Sequence, residues 1–90
     1  MTRIQIPAAL RHHTDGQVAV ELQGETVGEL LAALAGRHAE LGRRICDDAG
    51  ELRGFVNLYL NGVDVRWLDG RNTPVRSGDT LAIVPSIAGG

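Results

Sequence analysis

The hydrophobic spacing of this chain changes period at Thr26 and changes back near residue 55. Ile4 and Ile6, then Val18, Val20 and Leu22, alternate with their neighbours as one face of a strand does. Val27, Leu30, Leu31 and Leu34 instead recur at i, i+3, i+4 and i+7, one face of a helix. From residue 55 FVNLYL is β-branched, aromatic and apolar, and LAIVP at 81–85 closes the pattern as a buried type of strand. A one-striped helix must bury that stripe, and a chain of 90 residues has only its own strands to offer.

Boundary signals sharpen the order. Pro7 ends a first strand over 2–6, a loop holding His12, His13 and Thr14-Asp15-Gly16 follows, and the second strand makes a hairpin with the first. Thr26 and Glu29 form a capping box at the start of a helix that runs to about Gly36 or His38. Leu41 and Ile45 extend its stripe until DDAGE at 47–51 breaks it. Asn61-Gly62 is a strong hairpin signal after FVNLYL, and the chain returns through Val63 and Val65. Three turn signals in RWLDGRNTPVRSGD, residues 66–79, leave no room for a long element. These pieces predict an α+β fold of the β-grasp kind, a mixed sheet of four to five strands on one main helix. The sheet face toward the helix is supplied by Ile4, Ile6, Val18, Val20, Val56, Leu58, Leu60, Leu81 and Ile83.

Several function classes are excluded. A net charge of −2, with scattered basic residues that are all arginine, argues against nucleic acid. No apolar run is long enough for a membrane span, and MTRIQIPAAL turns polar too early for a signal peptide, so the expected location is the cytoplasm. The single Cys46 fits a reducing compartment and is read as a small buried or half-buried side chain. His12-His13 lacks further ligands at metal-binding spacing, and no metal is expected. Asp47-Asp48 reads as a turn, while Ser77 and Ser86 lack a nucleophile context. No catalytic constellation remains, so the chain is not expected to be an enzyme.

What remains is PSIAGG. Pro85 stops a strand, so residues 1–85 are expected to form one domain and 86–90 a flexible tail of Ser86, Ile87, Ala88, Gly89 and Gly90. Five residues reach at most ~16–18 Å, enough to enter a groove in a partner. Two glycines leave the α-carboxylate of Gly90 unhindered and ionised at neutral pH.

The element order, FVNLYLNG, SGDTL before the last strand and above all the Pro-Ser-Ile-Ala-Gly-Gly tail resemble the ubiquitin-like sulfur carriers of the MoaD/ThiS family. IPAALRHHTDGQ, RGFVNLYLNGVDVRW and VPSIAGG are most similar to the branch serving a thiocarboxylate-dependent cysteine pathway of actinobacteria. The resemblance implies that an activating enzyme resembling those of the ubiquitin pathway adenylates Gly90 with ATP and magnesium. It then installs sulfur as a thiocarboxylate. It further implies a PLP-dependent cysteine synthase that presents an aminoacrylate to this sulfur, and a zinc peptidase that releases cysteine after an acyl shift to nitrogen. ATP, magnesium, PLP and zinc would all belong to those partners. Pro85, Ile87, Ala88 and Gly89 would thread the partner's channel. Family members with the same tail also serve as the small subunit of molybdopterin synthase or feed thiamine or a secondary metabolite. A protein modifier conjugated through Gly90 is the alternative from another class. Phe55, Asn57 and Tyr59 lie opposite the helix if Val56, Leu58 and Leu60 face it. Phe55 and Tyr59 then either dock a partner or are covered by the 66–78 loop and Trp67.

Overall fold

A computed structural model describes residues 1–85. Five strands form one mixed sheet: β1 (Thr2–Gln5), β2 (Ala19–Leu22), β3 (Val56–Leu60), β4 (Val63–Asp64) and β5 (Thr80–Pro85), in the spatial order β2-β1-β5-β3-β4. β1 and β5 run parallel at its centre, with Ile4 opposite Leu81, and the remaining pairs are antiparallel. The β-grasp architecture is as expected, with five strands.

Across the sheet lies α1 (Val27–Arg37), and Val27, Leu30, Leu31 and Leu34 are all buried. They meet Ile4, Ile6, Val20, Leu22, Val56, Leu58, Leu60, Leu81 and Ile83, which form the opposing apolar face. Val18 departs from its expected place. It lies one residue before β2, where its carbonyl accepts from the Ile6 amide at 2.9 Å, and its side chain is 56% exposed. At that end the core is closed by Leu10, carried on a 3-10 segment, Ala8–Thr14. The stretch read as a loop is therefore ordered. Thr14 is buried within it, its hydroxyl donating toward the carbonyls of Arg11 and Gln17 at 3.1 Å.

The capping box forms with a shifted second arm. The Thr26 hydroxyl accepts from the Glu29 amide at 3.2 Å, while the Glu29 carboxylate accepts from the amide of Glu25 rather than of Thr26, at 2.9 Å. At the far end the stripe continues but the helix does not. His38, at φ −135° and ψ 80°, separates α1 from α2 (Ala39–Ile45), which turns Leu41 and Ile45 fully into the core. Asp47 then closes the predicted turn, its Oδ1 accepting from the amides of Ala49 and Glu51 at 2.9 Å. Asn61 and Gly62 both take positive φ, 50° and 88°, and make the hairpin into β4. β4 is only two residues long, and Val65 belongs to a 3-10 turn, Val65–Trp67, rather than to a returning strand.

Candidate functional site

β5 delivers the chain to the expected tail. Leu81 and Ile83 point into the core, while Val84 on the other face is 42% exposed. Pro85 pairs with Val56 at the start of β3. The expectations for Ser86, Ile87, Ala88, Gly89 and Gly90 lie outside the described residues. What the fold fixes is their point of departure, beside Phe55.

The outer face of the sheet at this end is built by strict alternation. With Val56, Leu58 and Leu60 buried, Asn57 and Tyr59 project the opposite way, and the ladder sets Asn57 opposite Val84 and Tyr59 opposite Ala82. Phe55, just before the strand, is 50% exposed. Trp67 stands 84% exposed and so does not shield Phe55 and Tyr59. The 66–78 loop instead sends Arg66 over this face. Its Nη2 donates to Asn57 Oδ1 at 2.8 Å and to Asp64 Oδ2 at 2.7 Å, and its Nε donates to both Asp64 oxygens at 3.2 Å. Those Arg66 bonds, the side-chain ones first, hold the Asp64 carboxyl below its ordinary pKa.

Two grooves flank the end of β5. Arg3, Gln5, Pro7, Arg11, Val18 and Val84 are among the residues lining one of 340 Å³. Glu40, Arg43, Arg44, Arg53 and Phe55 line the other, of 380 Å³. Val84 was legible in principle, because alternation in TLAIVP sends it outward once Leu81 and Ile83 face in. The arginines gathered beside Phe55 had no such signal, for they come from two separate segments that α2 and β3 bring together.

The other sequence candidates do not form sites. His12 and His13 have ring centroids 3.9 Å from each other, because the 3-10 segment turns neighbouring side chains closer than an extended loop does. Among the described residues no group of three or more His, Cys, Asp and Glu is placed to hold a metal. Cys46 is half-buried. Desolvation is the main cause that pushes its thiol above the ordinary pKa, favouring the protonated, unreactive form. Among the described residues no helix is long and apolar enough to cross a membrane.

Comparison with known proteins supplies the context for this geometry. The chain is 38% identical over 89 residues to the sulfur carrier protein CysO of Mycobacterium tuberculosis, covering 97% of this chain and 96% of that protein. Its fold superposes with a TM-score of 0.91 on a chain of the Amycolatopsis orientalis BexX/CysO complex, at 40% identity and with both chains fully covered. Over 65 residues it is also 38% identical to small archaeal modifier protein 3 of Haloferax volcanii, covering 72% of this chain and 70% of that one. The ThiS family model matches residues 4–90, and the chain belongs to that family.

Proposed function

We propose that this protein is a sulfur carrier, a substrate of enzymes rather than an enzyme, in which residues 1–85 form the recognised domain and residues 86–90 the reacting tail. The observation that carries the reading is a family match running through Gly90, joined to near-full-length likeness to a sulfur carrier protein. In this reading a Gly90 carboxylate oxygen attacks the α-phosphorus of ATP and pyrophosphate leaves. A sulfide donor then attacks the acyl carbon and AMP leaves, so that Gly90 ends as a thiocarboxylate. Activation is needed because a carboxylate oxygen is a poor leaving group and AMP is a good one. The activating enzyme supplies the ATP site and magnesium. The acceptor is that of cysteine biosynthesis, with a PLP-dependent synthase to take the sulfur and a zinc peptidase to free the product.

The chain's own part is recognition and delivery. Pro85, Ile87, Ala88 and Gly89 pass through the partner's channel, and Phe55 and Tyr59 meet its surface beside the point of departure. The test uses purified protein with its host's activating enzyme, ATP and sulfide. Gly89→Val, which adds bulk next to the reacting residue of this reading, should abolish thiocarboxylate formation while the thermal unfolding midpoint stays within about 1 °C of wild type. Normal conversion of that variant would remove the threading role from Gly89.

The likeness to a small archaeal modifier protein favours a second reading, conjugation of Gly90 to amines of other proteins. With no lysine, the chain offers only its α-amine to a second copy, and that amine donates to Ser77 Oγ at 3.1 Å. Conjugates would therefore be single attachments without lysine-linked chains.

A further inference from the structure

The pole from which β5 departs is one-sided in charge, although the chain as a whole is at −2. α2 brings its last turn there with Arg43 and Arg44, and the segment before β3 adds Arg53 and Phe55 to the same groove. Arg53 Nε donates to the Arg43 carbonyl at 2.9 Å, which ties the two segments together. Arg43 is paired with Glu40, the one acid in the groove. Arg44 has no ion pair among the described residues. On the other side of β5, Arg11 stands in the second groove with Val18 and Val84. The local field also reaches His13, on the 3-10 segment that packs against α2. Desolvation first, then His12 and Arg44, hold its imidazole below the ordinary pKa, and Glu40 opposes them.

A short tether turns this pole into a contact surface. Five extended residues beyond Pro85 span at most ~16–18 Å, so any protein that holds Gly90 in its active site must approach the surroundings of Pro85. Exposed Arg43 and Arg44 and partly buried Arg53, interleaved with a half-exposed phenylalanine, fit carboxylates around an apolar pocket: guanidinium forks bind carboxylate oxygens and the ring supplies a desolvated anchor. We propose that the groove of Arg43, Arg44 and Arg53 around Phe55 seats an acidic surface of the activating enzyme that takes the tail. The inference rests on the carrier reading and adds the partner's charge and the elements it meets, α2 and the residues before β3.

ATP–pyrophosphate exchange catalysed by the host's activating enzyme gives KM and kcat for the carrier. For Arg43→Glu/Arg44→Glu, KM should rise about tenfold or more with kcat unchanged, as expected when the docking charges are reversed. The wild-type KM should climb as NaCl goes from about 50 mM to about 500 mM, and that of the variant should climb less. Arg76→Glu, at the opposite end of β5, should leave both constants as they are. Arg44→Gln breaks no ion pair and should raise KM in the same direction, which guards against a folding defect in the double variant. A folded double variant with KM within about twofold of wild type at low salt overturns the inference and leaves the carrier reading standing. Saturable binding of inorganic phosphate in the groove, seen by NMR at Arg43, Arg44 and Arg53 without a change in KM, makes it a small-anion site and also overturns it. Absence of exchange with the wild-type chain removes the carrier reading and this inference together.

Discussion

Gly42 lies where α2 crosses α1 so closely that a Cβ on it would stand 2.6 Å from the Cβ of Ala35 and 2.9 Å from its Cα. Nothing there can give without moving a helix. Gly42→Ala should therefore lower stability by about 1–3 kcal/mol in urea unfolding, the usual cost of overpacking. Gly36, inside α1 with open space around it, is the contrast. Gly36→Ala should raise stability by roughly 0.5–1 kcal/mol through helix propensity. Nothing in the sequence separates these two glycines, since a close crossing depends on the angle between two helices. Asn61-Gly62 differs in this respect: its positive φ values are a local demand of a tight hairpin, and the dipeptide announces them.

At the scale of elements, the legible parts were those whose period is long enough to count. The α1 stripe, the β3 alternation and both central strands stand where the hydrophobic spacing puts them. Leu34→Ala, at a fully buried position, should cost about 2–5 kcal/mol in the same unfolding assay. The 3-10 segment Ala8–Thr14 was not legible, because a short run of i+3 contacts leaves no repeating stripe. Nor was the break at His38, since Leu41 and Ile45 continue the apolar spacing across it. Likewise β4 shrinks to two residues because Asp64 caps the next turn with its side chain, accepting from the Arg66 amide at 2.9 Å. That carboxyl titrates below its ordinary value in the folded protein. Its contribution to stability is thus complete above about pH 4 and is lost as pH falls through the folded-state value. Unfolding followed from pH 6 down to about pH 2 should show Asp64→Asn less stable than wild type at the upper end, with the gap closing on acidification. A gap independent of pH would assign the loss to packing instead.

At the scale of the whole molecule, the sheet order explains where the reaction would take place. Parallel β1 and β5 fill the centre, so the last strand is held on both sides as far as Ala82 and by β3 alone from Ile83 to Pro85, at the pole where Phe55 and the arginines gather. In the sequence the PSIAGG tail suggested chemistry. The residues around its root could be seen only after folding had brought positions 11, 43, 44, 53 and 55 to the same end. In the proposed reading, a last strand that ends at a charged, partly apolar pole suits a substrate that more than one enzyme would recognise there. The most direct measurement is the intact mass of the protein purified from its native host with thiols protected. The account predicts a species about 16 Da heavier than the sequence mass, one oxygen replaced by sulfur, located by fragmentation at Gly90. Only the unmodified mass, persisting after incubation with the host's activating enzyme, ATP and sulfide, would contradict it.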